Sequence, residues 1–138
     1  MVSFELFLHE DIPQVIELWR ATPGVGLSSA DTPPELAKFL DRNPGTSFVA
    51  RRGKQIVGVI MGGWDGRRGY IHHLAVRGDC RRQGLGQALL DNLLDEFRRM
   101  GVLKVHMFVF VDNTPAIDFY RRRGWTWRED IGMMSLNL

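Results

Sequence analysis

The chain has 138 residues, 44% of them hydrophobic and 25% charged, with a formal net charge of +2, the balance of one soluble globular domain spanning residues 1–138 and not of a disordered or fibrous chain. Its longest apolar stretch falls far short of the ~20 residues that span a bilayer, Glu5, His9, Glu10 and Asp11 interrupt any secretory leader, and the single Cys80 excludes an internal disulfide, so a cytoplasmic protein without membrane attachment is expected. Arginines occur as scattered pairs such as Arg51-Arg52 and Arg67-Arg68; without a basic stripe on one face or a recognition motif, nucleic acid is not an expected partner.

A strand is expected around Phe4 to Leu8. A helix follows from about Asp11 to Arg20, with Ile12, Val15, Ile16 and Trp19 at helical spacing and Pro13 in the first turn. Thr22-Pro23-Gly24-Val25-Gly26 breaks it. Thr32-Pro33-Pro34-Glu35 reads as a capping box that opens a second helix, with Leu36, Phe39 and Leu40 as its apolar stripe, and Asn43-Pro44-Gly45 stops that helix. Ser47 to Arg51 and Gln55 to Met61 read as strands joined near Gly53. Asp65-Gly66 turns the chain back into a strand from Tyr70 to Val76.

Arg81-Arg82-Gln83-Gly84-Leu85-Gly86 comes next, ahead of an apolar-periodic helix of Leu85, Ala88, Leu89, Leu93 and Phe97 that Gly101 closes. Strand, glycine turn, then helix is the architecture of an anion site. Helix starts carry unpaired N–H donors and a partial positive charge, and glycine lets the main chain approach phosphate oxygens. Val105 to Val111 reads as a strand buried on both faces, parallel to the one before the turn through a right-handed crossover. A short helix from Pro115 to Arg123 ends at Gly124, and Trp125 to Arg128 with Met133 to Leu136 read as a last antiparallel pair.

The turn lacks the Lys and Ser/Thr of a P-loop, since Gln87 and Ala88 follow Gly86, and Leu89 stands where a dinucleotide fingerprint needs Gly or Ala. Arg81, Gly84 and Gly86 instead fill an Arg/Gln-x-x-Gly-x-Gly/Ala turn. About 30 residues on, Asn113-Thr114-Pro115-Ala116-Ile117-Asp118-Phe119-Tyr120, followed by Gly124-Trp125, is similar to an Asn-x-x-Ala-x-x-Phe-Tyr-x-x-x-Gly-aromatic segment. In this order and spacing the two motifs resemble the GNAT superfamily of acetyl-CoA-dependent N-acetyltransferases. The resemblance implies an α/β fold: a mixed, mostly antiparallel sheet of six to seven strands, flanked by about four helices, whose two parallel strands splay apart to admit the pantetheine arm. It also implies acetyl-CoA as co-substrate, an amine of a small molecule or protein as acceptor, and no metal; a homodimer is left open. The alternative is a non-catalytic acetyl-CoA-binding scaffold or sensor.

Acetyl transfer to an amine needs a base for the amine, donors for the oxyanion and an acid for the departing thiolate. An amine of pKa ~10.4 is neutral only about once in a few thousand molecules at pH 7, and a tyrosine hydroxyl of pKa ~10 can protonate a thiolate of pKa ~8.5 locally. By the resemblance Tyr120 is the acid. His72 stands where many family members carry Glu, and an imidazole of pKa near 6.5 serves as a base. Strict alternation puts Tyr70, His72, Leu74 and Val76 on one face and Ile71, His73 and Ala75 on the other, so His73 is expected to pack under a helix, pointing away from His72, with no zinc site between them. For the cofactor the resemblance implies the backbone of Leu74, Ala75 and Val76, the turn of Arg81, Arg82, Gln83, Gly84, Leu85 and Gly86, and Asn113 with Ala116. Each has a structural reading beside it: Tyr120 as core filler, Asn113 as a helix cap, the turn as a plain glycine loop. Asp31, Glu35 or Asp65 could grip a cationic amine or simply be solvated.

Overall fold

The computed structural model describes residues 1–138. Its elements in chain order are β1 (Val2–Leu6), α1 (Ile12–Arg20), α2 (Pro33–Arg42), β2 (Ser47–Arg52), β3 (Gln55–Trp64), β4 (Gly69–Val76), α3 (Leu85–Arg99), β5 (Val105–Met107) and α4 (Thr114–Arg121). One sheet runs in the order β1-β2-β3-β4-β5, antiparallel except for the parallel pair β4–β5. The chain forms two compact units, residues 1–108 with the sheet and α1 to α3, and residues 109–138 with α4.

Two layers of side chains cover the sheet in the first unit. On one face Val15, Leu18 and Trp19 of α1 and Leu36 and Leu40 of α2 pack with Val49, Val59, Met61 and Ala75 of the strands. Asp11, 3% exposed, anchors the start of α1: it accepts from the Leu8 N–H at 2.9 Å and pairs with Arg51 of β2. Removing Arg51 would leave the Asp11 carboxylate shut away from water, the costly case for buried ions, whereas Arg51 itself is partly exposed and also pairs with Glu5 at 3.3 Å.

The opposite face seats α3, through glycines. Cβ atoms built at Gly58 and Gly62 of β3 and at Gly69 of β4 would lie 3.0 Å from Leu89, 2.6 Å from Leu93 and 3.0 Å from Phe97. Those three residues are a single ridge of α3 at four-residue spacing. They are fully buried because the strands beneath them carry no side chain at the points of contact. α3 ends as expected in a left-handed Gly101 (φ +82°), with the Val102 N–H bonded back to the Phe97 carbonyl at 2.9 Å.

Several expectations are corrected. The sheet has five strands, not six to seven, while the four helices are present. Residues 125–128 and 133–136 form no strands; β-propensity alone makes no strand without a ladder partner, and Met133, Met134 and Leu136 stay exposed. β5 stops at Met107 and is half-buried, because it pairs on one side only and sits at the sheet edge. Thr32 makes no side-chain cap; the reciprocal box belongs to Ser28 and Asp31 one turn earlier, around the 3-10 turn Ser29–Asp31.

Gly62→Ala should destabilise the protein by about 1–3 kcal/mol, the usual cost of overpacking. The new Cβ would meet Leu93 and, at 2.8 Å, the Thr46 backbone carbonyl, which cannot swing aside. Gly78→Ala, where a Cβ meets nothing within 4 Å, should leave stability nearly unchanged. Urea unfolding of the two variants makes the comparison.

Candidate active site

The glycine turn between β4 and α3 lies where the sequence places it. β4 ends at Val76, a 3-10 turn covers Gly78–Cys80, and α3 opens at Leu85. Arg82 (φ +62°) and Gly84 (φ +77°) both adopt the left-handed region, which curls the main chain into the helix start. A non-glycine residue there carries strain, of a kind that concentrates at binding loops. The first α3 bond runs from the Ala88 N–H to the Gly84 carbonyl at 3.0 Å, so the N–H groups of Leu85 and Gly86 have no acceptor within the helix. Arg81, Arg82, Gln83 and Gly84 are exposed, and a Cβ at Gly84 would meet nothing within 4 Å. Free donors, open space and two arginines fit a pyrophosphate. Arg81 also donates from Nε to the Val76 carbonyl at 3.4 Å, which ties the turn to the end of β4. Arg77 grips Asp79 through two bonds of 2.6 and 2.7 Å, holding that carboxyl well below its usual range, while Cys80 is wholly buried and positioned as packing.

β4 carries the main departure from strict alternation. Met61 pairs with His73 and Gly62 with Ile71, so His72 is an extra residue, a β-bulge. Backbone bonding agrees. The Gly69 N–H donates toward β5, to Lys104 at 3.0 Å, whereas the Arg77 N–H, of the same parity, donates toward β3, to Val57 at 2.8 Å. One inserted residue accounts for the reversal. Beyond the bulge, alternation from Arg77 turns the N–H groups of Leu74 and Val76 toward the opposite edge. No strand pairs there, because the β4–β5 ladder ends at Ile71–Met107.

The same bulge overturns the expectation that His72 and His73 point apart. Both rings lie on the α1/α2 side. His72 meets Phe39 of α2 edge-on at 5.2 Å and lies near-parallel to Tyr70 at 6.4 Å. His73 meets Trp19 of α1 at 4.7 Å and bonds through Nε2 to Asp31 at 3.0 Å. Leu74 instead shares the α3 face with Ile60, its cross-strand partner. Asp31 is therefore not free to hold an amine: one oxygen takes His73 and the other the Ser28 N–H at 2.9 Å. The His73 part of the reading, a histidine packed under a helix, does hold.

His72 faces a cleft of about 380 Å³ bordered by Glu35, Phe39, Arg42, Trp64, Asp65 and Tyr70. Desolvation first, then the neighbouring His73, pushes its pKa below the usual 6.5, with Asp31 pulling the other way. The ring is thus neutral at pH 7 and able to accept a proton. Phe39 and Tyr70 escaped the sequence reading as walls of a cleft because single aromatics at helix and strand positions look like core; the packing of α2 brings Phe39 to His72.

In the second unit Asn113 caps α4, accepting the Ala116 N–H at 3.3 Å, so both residues act in that helix start. Tyr120 packs against Phe119 at 5.0 Å and Trp125 at 5.5 Å. Burial pushes its hydroxyl far above the usual tyrosine range, against a smaller opposing effect of Arg123, so it keeps its proton throughout the physiological range. Gly124 (φ +90°) closes α4, with the Trp125 N–H bonded to the Tyr120 carbonyl at 3.1 Å. No group of three or more His, Cys, Asp or Glu side chains is placed to hold a metal, and no helix is long and apolar enough to cross a membrane.

His73→Gln removes the charge that His73 can carry beside His72. The His72 pKa should therefore rise toward 6.5, read from the pH dependence of its ring resonances by NMR. The linked stability has a definite sign. A histidine whose folded pKa is depressed binds protons more weakly folded than unfolded, so its contribution is complete above pH ~6.5 and is lost as pH falls below it. That loss should be smaller in His73→Gln and absent in His72→Gln.

The sequence profile of the acetyltransferase (GNAT) family matches residues 12–125. An acetyltransferase of Pectobacterium atrosepticum is 31% identical over 88% of this chain and 85% of its own. Another, of Sodalis glossinidius, is 28% identical over 99% of this chain and 96% of its own. The PaiA N-acetyltransferase of Thermoplasma acidophilum, solved in complex with coenzyme A, superposes with a TM-score of 0.84 at 15% identity, over 96% of this chain and 94% of its own. With the turn, the parallel strand pair and the matched segment in place, the chain belongs to the acetyltransferase (GNAT) family of acyl-CoA-dependent N-acetyltransferases.

Proposed function

We propose that this protein moves an acetyl group from acetyl-CoA to a primary amine by direct attack, with His72 as base and Tyr120 as acid. The observation that carries the reading is the run from β4 into α3: an open strand edge at Leu74 and Val76, then a left-handed turn, then the unpaired donors of a helix start. A pyrophosphate suits the N–H groups of Leu85 and Gly86 with Arg81 and Arg82 beside them. The pantetheine amides suit the edge at Leu74 to Val76. Asn113 and Ala116 join this set by the family motif alone.

When bound, the thioester supplies the acetyl carbon; the amine nitrogen bonds to it and the carbon–sulfur bond breaks. His72, neutral and open to the cleft, accepts the proton the amine releases. The Leu74 and Val76 N–H groups stabilise the negative charge that develops on the carbonyl oxygen. Tyr120, held protonated by its burial, donates its hydroxyl proton to the leaving sulfur. A sensor that only bound acetyl-CoA would need neither a neutral imidazole facing a cleft nor a protonated phenol.

Three variants separate binding from chemistry, with free-thiol release as the readout. Gly86→Glu places a carboxylate among the helix donors and should abolish acetyl-CoA binding by calorimetry while the fold survives. Tyr120→Phe should bind acetyl-CoA normally and lose about 10²- to 10⁴-fold in turnover. In the wild type, kcat/KM should fall on an acidic limb below pH ~6.5, and His72→Gln should remove it. Full turnover in Tyr120→Phe, or a limb that persists in His72→Gln, removes that residue from the mechanism.

A further inference from the structure

The cleft beside His72 is walled by rings. Phe39 comes from α2, Trp64 from the end of β3 and Tyr70 and His72 from β4. Tyr70 continues the wall onto the neighbouring strand: it lies 5.8 Å from His106 and near-parallel to Phe108, centroids 6.3 Å apart and planes 16° apart. With His72 tilted only 21° from Tyr70, three rings in near-parallel orientation lead along the sheet to the imidazole. Trp64 and Phe108 are 41% and 60% exposed, so ring faces along this wall are open to a ligand.

Charge narrows the ligand further. Two carboxylates and two cations border the cleft, Glu35 and Asp65 against Lys38 and Arg42. Glu35 already pairs with Lys38 at 3.1 Å. One Asp65 oxygen accepts the N–H groups of Arg67 and Arg68 at 2.7 and 2.8 Å. A polyamine would therefore find no surplus of negative charge, and its further ammonium groups would face Lys38 and Arg42. A single ammonium finds ring faces, which attract cations, and a neutral histidine that does not repel it. The volume, about 380 Å³, sits at the small end of ligand clefts.

We infer that the acceptor is a small monoamine carried on an aromatic body, its ring laid along Phe39, Trp64 and Tyr70 and its nitrogen directed at His72. The inference rests on the acetyltransfer reading for its chemistry and on the cleft alone for its specificity. In the reaction the ammonium gives one proton to His72 and its nitrogen bonds to the acetyl carbon as the carbon–sulfur bond breaks; the sulfur leaves with the Tyr120 hydroxyl proton, and the second proton shed by the nitrogen restores that hydroxyl through water.

Two measurements on the full chain keep the two readings apart. In thiol-release assays with acetyl-CoA, 2-phenylethylamine and tyramine should exceed hexylamine, spermidine and an alanine-initiated peptide in kcat/KM by about tenfold or more, the worth of one aromatic contact. Trp64→Ala should raise KM for 2-phenylethylamine about tenfold, and for hexylamine by clearly less, while leaving KM for acetyl-CoA unchanged, a split that general loosening would not give. Calorimetric titration of 2-phenylethylamine into the protein, with Trp64→Ala as control, reads the cleft without chemistry. Binding that Trp64→Ala weakens, with no acetylation of any amine, would support the cleft and sink the acetyltransfer reading. Acetylation led by spermidine or the peptide would overturn the inference and leave acetyltransfer standing.

Discussion

The close seating of α3 on the sheet is the constraint on which the rest of the first unit depends. Leu89, Leu93 and Phe97 lie over Gly58, Gly62 and Gly69, where any side chain would hold the helix off. Burial of three large side chains is worth several kcal/mol in total, at ~1.5–3 kcal/mol each. The same contact fixes a direction. With its ridge locked onto β3 and β4, α3 has no freedom to slide, so its N-terminus must emerge just past the end of β4. The Arg81 to Gly86 turn therefore owes its position to packing about one to four helical turns away. Loop chemistry supplies the donors, and the glycines beneath the helix aim them.

A second layer of organisation comes from the bulge at His72. Before it, β4 is bonded to β3 on one side and to β5 on the other. After it, the backbone parity is reversed and β5 is gone. One inserted residue thus does two things: it turns a buried strand edge into free N–H donors at Leu74 and Val76, and it lifts an imidazole off the ladder toward α2. His73 completes the arrangement by tying β4 to Asp31, which the Ser28 box holds in turn. The segment ahead of α2 is thereby fastened to the strand that carries the proposed base.

Much of this was legible in the sequence, and the reasons differ by element. Helices α1, α2 and α3 announce themselves by apolar spacing, and Gly101 and Gly124 close helices where glycine is wanted for a left-handed cap. The Arg81 to Gly86 turn was readable because its function depends on local backbone geometry, which residue type controls directly. What the sequence hid was non-local. A bulge is a mismatch between two strands, and nothing within Tyr70 to Val76 marks it; alternation then assigned His72 and His73 to opposite faces. The wall of the cleft was hidden for a related reason, since Phe39 reaches Tyr70 and His72 only through the packing of α2 on the sheet. The last strand pair failed differently: Trp125 to Arg128 and Met133 to Leu136 have strand-like composition, but hydrogen-bond partners make a strand and composition does not.

Position 72 has a further consequence for how such a fold diversifies. Most residues of β4 are committed twice, through their main chain to a neighbouring strand and through their side chain to a packed layer. The bulged residue has no cross-strand partner and stands exposed, so its side chain can be exchanged at little structural cost. An imidazole, a carboxylate or an amide can be tried there one codon at a time, with the cofactor turn and the core left as they are. The protein thus carries a replaceable part at the position proposed for the base.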